Sequence, residues 1–421
     1  MEVRFIKYRT ILKQYENCPI FTRNKNGLTQ ISVIIVSFNA SHFLQVCLES
    51  VRSSLKGLEG EVIVVDNASR DRSVEMIRQR FPEVELIENS ENSGFSKAVN
   101  QGVGRARGDY VLILNPDSIL PEDGLSEILI YAGKQERLGA VGCRFIDGTG
   151  TVLPECKRNF PGIRSAVFKL LGLNRGYYAH HLGDREMGEV EVLSGAFMLM
   201  RRELFSEMNG FDERFFMFGE DIDLSYRIHE AGYRNRYYGK MSMIHFKGES
   251  TPKDATYLKN FYGALEIFYL KHYRHIPPGK WILKRFVESI AWFRKRTMAV
   301  GRPSNEPVEG FVYCGDRTHI FEALKAALPG SSARVEQDVS NISSETGELI
   351  LFDSENLSYS EILRSFDRLH HQVKKRIISR SGDFFVGSDD PALPGEVHLI
   401  DRRRRKPDSD IDGNQRVRAG H

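Results

Sequence analysis

Apolar runs alternate with amphipathic segments along residues 31–114. Four runs rich in β-branched and other apolar residues predict strands, at 31–37, 61–66, 84–89 and 109–114. The segments between them place apolar residues on one helical face, as in Phe43, Leu44, Cys47, Leu48 and Val51. Repeated strand–helix units are typical of a parallel, doubly wound sheet, so the predicted fold class is α/β.

Each of these four strands ends in polar residues. The four strand ends are Ser37 to Asn39, Asp66 to Ser69, Asn89 to Gly94, and Asn115 to Asp117. Ligands of doubly wound sheets bind at the carboxyl ends of the strands. One polar strand end is commonly a turn former and nothing more. Four in one sheet, two of them with carboxylates, predict a binding site.

The fourth strand is ended by the tripeptide Asn115-Pro116-Asp117. Proline fixes its own φ and biases the preceding residue toward extended geometry, so Asp117 is presented rigidly at the strand tip. Its carboxylate has two interpretations. It is either a turn or cap for the following helix, or a ligand for a hard divalent cation such as Mg²⁺ or Mn²⁺, which binds carboxylates together with substrate phosphates.

A second group of acids lies beyond an irregular insertion predicted at 157–188. A helix predicted at 219–231 carries Glu220, Asp221 and Asp223 in its first turn. Negative charge there stabilises the helix dipole, but a carboxylate in a half-apolar pocket is also a natural general base. The strand predicted next ends at His245, which is either a satisfied histidine or an imidazole ligand for a metal or diphosphate.

The last third of the chain predicts two helices and a second α/β unit. The helix at 280–300 is amphipathic, and from Arg274 to Arg302 there are eight basic residues and one acidic residue. That pattern favours an anionic membrane surface or, equally, a helix packed on its own domain with a solvated basic face. After a polar linker, strands at 310–315, 348–353 and 375–379 alternate with helices at 319–328 and 358–370.

Composition restricts the class of protein. The 421 residues suit two or three domains, and a net charge of +3 argues against nucleic acid as the main partner. The five cysteines lack metal-ligand or redox spacing, which indicates reduced thiols. The start of the chain has no apolar secretory region and no apolar stretch is long enough to span a bilayer. These features predict a cytoplasmic protein, with a peripheral position on the inner face of the plasma membrane also open.

Six motifs occur in a fixed order along residues 31–250. They are "VIIVSFNASHFLQVCLESV", "VIVVDNASRDRSVE", "NSENSGFSKAVNQG", "DYVLILNPDSIL", "VLSGAFMLMRRELFSEMNGFDERFFMFGEDIDLSYRIHEAGY" and "MIHFKGEST". Together they resemble an inverting family-2 glycosyltransferase with a GT-A fold, in the bacterial rhamnosyltransferase-like group. Residues 308–400 resemble the small Rossmann-like domain appended to some bacterial glycosyltransferases, although no G-x-G-x-x-G follows its first strand.

The resemblance implies a role for each matching residue. Asp221 would be the catalytic base, with Glu220 a supporting acid. Asp117 and His245 would hold a divalent cation, Mg²⁺ or Mn²⁺. Asn115 stands where the family has the first carboxylate of its Asp-x-Asp motif, which leaves the strictness of metal dependence open. The nucleotide-sugar-binding residues would be Ser37, Asn39, Asp66, Ser69, Asn92, Gly94, Asn100 and Asn115.

The same resemblance implies the reaction and the partners. A sugar, with L-rhamnose as a candidate, would move from a dTDP- or UDP-sugar to a lipid-linked saccharide in bacterial surface polysaccharide synthesis. The leaving diphosphate needs charge stabilisation, which a metal supplies as a Lewis acid, and the acceptor hydroxyl needs a base. The expected division is an N-terminal extension (1–29), a GT-A domain (30–255), a basic amphipathic helical segment (256–302), a Rossmann-like domain (308–400) and a disordered tail (401–421).

Two other functions fit parts of the sequence. A non-catalytic sugar-nucleotide-binding scaffold is favoured by Asn115 but disfavoured by the set Glu220, Asp221 and His245. A nucleotidyltransferase on a related fold would need a Gly-rich, Arg-bearing phosphate loop after the first strand, and "SFNASHF" is not such a loop.

Overall fold

The computed structural model describes residues 30–161, 176–247, 255–273, 309–328, 330–342, 348–390 and 395–401. The predicted N-terminal extension, the basic helix at 280–300 and the tail from residue 402 lie outside the described residues. Within the described part of the chain, no helix combines the length and hydropathy that a membrane crossing requires.

The first α/β unit is built on a central sheet. Its residues form strands β1 (Ile31–Ser37), β2 (Gly60–Asp66), β3 (Glu85–Glu88), β4 (Tyr110–Leu114), β5 (Ser118–Ile119), β6 (Leu138–Ile146), β7 (Lys157–Arg158), β8 (Met187–Glu189), β9 (Val192–Leu193), β10 (Phe197–Arg201) and β11 (Arg234–His245). The helices are α1 (Ser41–Ser54), α2 (Ser73–Arg80), α3 (Phe95–Arg105), α4 (Gly124–Gly133), α5 (Arg202–Glu207), α6 (Glu220–Glu230) and α7 (Ala255–His272).

The strand order of this sheet is β3-β2-β1-β4-β10-β6-β11-β5, with β8 on β11, while β7 and β9 pair separately. Strands β1 to β4 are parallel, as the alternating pattern predicted. Strand β10 runs antiparallel to both β4 and β6, so the sheet is mixed rather than parallel throughout. The connection through α4 leaves a gap of one strand between β4 and β6. Strand β10, which comes later in the chain, fills this gap and runs antiparallel to both neighbours.

The core of this unit lies on both faces of the central strands. All seven residues of β1 and all five of β4 are buried, which explains why these strands read as unbroken apolar runs. Each buried Ile, Leu or Val side chain contributes roughly 1.5–3 kcal/mol. Helix α3 approaches the sheet closely at Gly102, because a Cβ there would lie 2.5 Å from Cγ2 of Ile34. Close packing of this helix positions the loop that precedes it.

A second, smaller α/β unit follows, as the sequence predicted. Its strands are β12 (Gly310–Cys314), β13 (Ser332–Val335), β14 (Glu348–Asp353), β15 (Lys374–Ile378), β16 (Phe384–Gly387) and β17 (Glu396–Leu399), and its helices are α8 (Thr318–Ala327) and α9 (Tyr359–Arg368). The order is β13-β12-β14-β15-β16-β17, with the first four strands parallel. Helix α9 begins with a capping box between Ser358 and Glu361.

The cysteines of the described residues are reduced. Cys47, Cys143, Cys156 and Cys314 are buried free thiols, and Cys18 lies outside the described residues. The four buried thiols pack as small apolar side chains in the strands and helices of the two units.

Candidate active site

The ends of β1 and β2 form one connected turn region. The backbone N–H of Asn39 donates to Oγ of Ser69 at 2.9 Å, and the N–H of Ser69 donates to Oδ1 of Asp66 at 2.8 Å. Asn39 adopts φ +53°, a left-handed conformation that asparagine tolerates better than most residues. The structure therefore brings Asn39, Asp66 and Ser69 together, with Ser37 at the end of the neighbouring strand.

Two buried polar atoms in this region have no hydrogen-bond partner among the described residues. They are Oγ of Ser37 and Oδ2 of Asp66. Burial raises the pKa of Asp66 above its usual value. An unsatisfied buried polar group costs about 1–3 kcal/mol, so a water or a ligand is expected to supply the partner of each atom.

The loop before α3 joins the same edge of the sheet. The side-chain amide of Asn67 donates to the carbonyl of Gly94 at 3.1 Å, and Oδ1 of Asn92 accepts from the N–H of Gly94 at 3.1 Å. Gly94 has φ +87°, and a Cβ there would lie 2.6 Å from the carbonyl oxygen of Phe216. Only glycine suits this position, where the loop passes against the segment that leads to Glu220.

Asn100 makes different contacts from those of Asn92 and Gly94. Its amide nitrogen donates to the carbonyl of Phe211 at 2.9 Å and to Glu213 at 3.1 Å, while its amide oxygen accepts from the N–H of Phe211 at 3.0 Å. The side chain therefore braces the loop before α6. A direct role in the nucleotide-sugar pocket stays a prediction.

Asp117, His245 and Asn115 come together at the ends of β4 and β11. Nε2 of His245 lies 3.4 Å from Oδ1 of Asp117 and 3.3 Å from the side-chain nitrogen of Asn115. Both Asp117 and His245 are buried. Within the described ranges, Oδ1 of Asp117 and Nδ1 of His245 find no hydrogen-bond partner. The pairing of β5 with β11 creates this contact, since Ser118 is opposite His245 in the register.

These residues fit a divalent cation that takes most of its ligands from elsewhere. No cluster of three or more His, Cys, Asp or Glu side chains suited to a metal occurs in the parts of the chain that the structure describes. The donors present are one carboxylate, one imidazole and the amide of Asn115, with two of their buried atoms unpartnered. Mg²⁺ commonly binds through one or two carboxylates plus waters and substrate phosphates, so a phosphate-bearing ligand would complete the site.

The acid pair stands at the start of α6, after two left-handed residues. Phe218 has φ +70° and Gly219 has φ +81°. A left-handed phenylalanine is a genuine outlier, and such conformations concentrate at functional sites. The turn directs Asp221 toward β7 and β9: its Oδ2 accepts from Arg158 at 2.6 Å and from the N–H of Gly195 at 3.1 Å.

Arg158 is a site residue that the sequence did not reveal. It lies on β7, inside the segment predicted as an irregular insertion, and its guanidinium also donates to the carbonyl of Leu193 at 2.9 Å. The ion pair with Asp221 is largely buried on both sides. A single arginine in a segment without periodicity carries no signal, so only the pairing of β7 with β9 identifies it.

Glu220 and Asp221 are both buried, but their carboxyl groups have different hydrogen-bond partners. Oε2 of Glu220 has no hydrogen-bond partner among the residues described. Burial, followed by the negative charge of Asp221, raises the pKa of Glu220 to about 8. The two adjacent carboxyl groups therefore lie in different environments. Asp221 forms an ion pair with Arg158, whereas Glu220 is held neutral near pH 7.

The loop Gly195–Ala196 connects the acid pair to the strand-end cluster. The N–H of Gly195 donates to Asp221, and the carbonyl of Ala196 accepts from the N–H of Asn115 at 3.1 Å. Gly195 thus contacts the acid pair, and the adjacent Ala196 contacts the cluster of Asn115, Asp117 and His245. The third acid of the first turn, Asp223, points away and binds Arg227, Lys271 and His272.

Two protein-family models match parts of this chain. The model of "Glycosyl transferase family 2" matches residues 32–208, and that of "N-terminal domain of galactosyltransferase" matches residues 186–249. The first match contains the ends of β1, β2, β3 and β4, and the second contains Glu220, Asp221 and His245. A mannosyltransferase from Pyrobaculum calidifontis, solved with GDP-Man and Mn²⁺, aligns with a TM-score of 0.43 and 20% identity over 65% of this chain and 76% of that one.

Two curated relatives are rhamnosyltransferases. The N-acetylglucosaminyl-diphospho-decaprenol L-rhamnosyltransferase of Mycobacterium tuberculosis is 32% identical over 225 residues, which cover 49% of this chain and 73% of the relative. Rhamnosyltransferase WbbL of Escherichia coli is 28% identical over 223 residues, covering 51% of this chain and 83% of the relative. Neither the scaffold nor the nucleotidyltransferase alternative gains support from them. The family that the six motifs indicated is therefore confirmed: the chain belongs to glycosyl transferase family 2 and is a glycosyltransferase.

Proposed function

We propose that this chain transfers a sugar, with inversion, from a nucleoside-diphosphate donor to a lipid-linked saccharide in bacterial surface polysaccharide synthesis. L-Rhamnose is the proposed sugar, because both rhamnosyltransferase relatives align across most of their own length. The observation that carries the proposal is the meeting of two clusters at Gly195–Ala196: Asn115, Asp117 and His245 on one side, and the acid pair on the other.

The donor nucleotide would lie at the ends of β1 and β2. Oδ2 of Asp66 and Oγ of Ser37 are the unpartnered atoms there, and the imide N–H of uracil or thymine would supply a donor to the carboxylate. This chemistry supports a UDP- or dTDP-sugar. Asn39, Ser69, Asn92 and Gly94 would shape the rest of the pocket through the turns that they hold.

Asp117 and His245 would hold the cation, Mg²⁺ or Mn²⁺. When bound, such an ion neutralises the charge that develops on the leaving diphosphate. The side-chain nitrogen of Asn115 lies 3.3 Å from Nε2 of His245, so Asn115 would help to orient the imidazole. Asn115 carries no charge at the position where the family has a carboxylate. We therefore expect the cation to bind weakly unless the diphosphate of the donor is also bound.

Asp221 is the proposed base. It would accept the proton of the acceptor hydroxyl while that oxygen bonds to the anomeric carbon and the bond to the diphosphate breaks, which inverts the carbon. Arg158 and the N–H of Gly195 hold Oδ2 in place. Among the described residues, Oδ1 accepts from the N–H of Ile222 alone, so a lone pair remains for the proton. Glu220, neutral near pH 7, would donate a hydrogen bond to substrate.

The domain division and location belong to the same proposal. Residues 30–255 would be the catalytic domain and 308–400 a Rossmann-like domain, and the basic segment within 256–302 would hold the enzyme at an anionic membrane surface near its acceptor. The cytoplasmic face of the plasma membrane is the proposed location, because sugar nucleotides and lipid-linked intermediates meet there.

Transfer can be tested with purified enzyme, dTDP-L-rhamnose or UDP-sugars, and a lipid-linked N-acetylglucosamine diphosphate acceptor. Mass spectrometry detects the added sugar, and NMR of the anomeric proton reports the configuration. The variant Asp221→Asn should lose about 10²–10⁴-fold in kcat while binding donor as before. Retention of configuration, or an unchanged rate in Asp221→Asn, would contradict the mechanism; no transfer from any donor by folded protein would contradict the function.

A further inference from the structure

We propose that the C-terminal α/β domain positions part of the active site, because it packs against the two-stranded ribbon that carries Asp117 and His245. The ribbon consists of β5 and the end of β11. This inference rests on the proposed function, in which these two residues bind the cation. It assigns a positioning role to the face of the C-terminal domain that contains α9.

The ribbon presents its two faces to different surroundings. Ile119 pairs with Ile244 and Ser118 pairs with His245, and the ribbon is closed where the N–H of Phe246 donates to the carbonyl of Asp117 at 3.1 Å. Side chains alternate between the faces of a strand. Ile244 and Phe246 therefore lie on the face opposite His245, behind the candidate cation pair.

The face behind the ribbon is buried in the core of the C-terminal domain. Ile119, Ile244 and Phe246 are at most 1% exposed and belong to one buried apolar cluster with residues of that domain. The members from the C-terminal domain include Val312, Ile350, Phe352, Tyr359, Ile362, Phe366 and Phe384. The back of the ribbon thus lies in one apolar core that it shares with the C-terminal domain and with Phe43 and Val46 of α1.

Polar contacts fix the same junction at its edges. Glu122, three residues after Ile119, accepts from the N–H groups of Tyr359 and Ser360 at 2.7 and 2.8 Å, which satisfies the first turn of α9. Arg144, on the strand next to β11, donates to Asp367 of α9 at 2.7 Å from a buried position. The chain that leaves Asp117 is therefore attached to α9 within five residues.

A two-residue edge strand has little to hold it on its own. Segments with few hydrogen bonds and little buried apolar surface open locally at low cost, whereas a functional constellation must be held to about 0.5 Å. The C-terminal domain, together with Phe43 and Val46 of α1, supplies the apolar contacts behind the ribbon. Loosening its packing against the ribbon should weaken cation binding before it affects any other property of the site.

The C-terminal sheet provides a matched pair of variants. Phe366 lies in the cluster that contacts the ribbon, and Phe311 lies in the separate cluster on the opposite face of the same sheet. Both side chains are at most 1% exposed, so the same change to leucine should lower the melting temperature of each full-length variant similarly. Only Phe366→Leu should loosen the packing against the ribbon.

The measurement is Mn²⁺ affinity in the presence of UDP, followed by electron paramagnetic resonance. Phe366→Leu should weaken binding roughly tenfold, the effect of disturbing the surroundings of metal ligands, and Phe311→Leu should leave it unchanged. Glu122→Gln, which weakens the contact with α9 from outside the core, should change affinity in the same direction and serves if Phe366→Leu does not fold.

Asp117→Asn separates this inference from the function on which it rests. If Asp117→Asn binds Mn²⁺ as the unchanged protein does, the cation role of the pair is wrong and the inference falls with it. If Asp117→Asn abolishes binding while Phe366→Leu, Glu122→Gln and Phe311→Leu all bind equally well, the cation role stands and the positioning role of the C-terminal domain is overturned.

Discussion

Glu220 should make the enzyme less stable as the pH rises. Its pKa is about 8 in the folded protein against 4.5 for the ordinary carboxyl group, because burial and the charge of Asp221 disfavour ionisation. Between these values the folded state keeps the proton that the unfolded state releases. Stability contributed by the protonated form is therefore complete below pH 4.5 and is lost progressively up to pH 8.

The size of the effect follows from the shift. At 1.36 kcal/mol for each pKa unit, a shift from 4.5 to about 8 amounts to a loss on the order of 3–5 kcal/mol by pH 8. Glu220→Gln keeps the shape of the side chain and removes the ionisation. We expect the variant to melt roughly 5–10 °C above the unchanged enzyme at pH 8.5 and close to it at pH 5, and to be impaired in transfer.

The assay is thermal denaturation between pH 5 and pH 9 with both proteins in the same buffers. Glu230→Gln is the control, since Glu230 is an exposed acid at the other end of the same helix. Its curve should run parallel to that of the unchanged enzyme. A Glu220→Gln curve that is also parallel over the whole range would refute the argument that burial of this carboxyl group destabilises the fold.

Three further predictions follow from single contacts. Arg158→Lys should lower kcat by at least tenfold, because the lysine ammonium cannot reproduce the contacts of the guanidinium with Asp221 and Leu193. Donor affinity, measured by calorimetry, should not change. A variant with the same kcat as the unchanged enzyme would exclude a positioning role for Arg158. Asp66→Asn should weaken the binding of UDP or dTDP about tenfold. Unchanged binding would mean that the uracil or thymine ring does not contact Asp66. Burial lowers the pKa of Lys375 to about 8 from 10.5, so stability should rise from pH 8 to pH 10.5, and Lys375→Met should abolish that rise in a melting series.

Local pattern was sufficient for the first four strands and for their shared edge. β-Branched runs form strands wherever both faces are covered, and parallel strands necessarily end on the same side of a sheet. The turns that carry Asn39 and Ser69 could therefore be expected to meet before any contact was seen, and they bond directly. The direction of β10 could not be predicted, because periodicity is the same for a parallel and an antiparallel strand.

The two acids of α6 show the limit of motif reasoning most clearly. "GED" predicts a pair of carboxyl groups, but nothing in three letters distinguishes the environments of Glu220 and Asp221. The difference arises from Arg158, a residue 63 positions earlier in the chain. Its side chain forms an ion pair with Asp221, while Oε2 of Glu220 has no hydrogen-bond partner among the described residues. Adjacent residues on a helix point in different directions, so contacts from distant segments decide the chemistry of each.

The sequence by itself determined the alternation of strands and helices from β1 to β4, the polar strand ends and the family, because these depend on local periodicity and on motifs that are contiguous in the chain. The tertiary structure decided which acid is paired, what Asn100 contacts, and that Ile119 and Phe246 are buried in a core shared with residues more than 100 positions away. Such contacts depend on how whole elements pack, and packing is a property of surfaces that local sequence patterns do not encode.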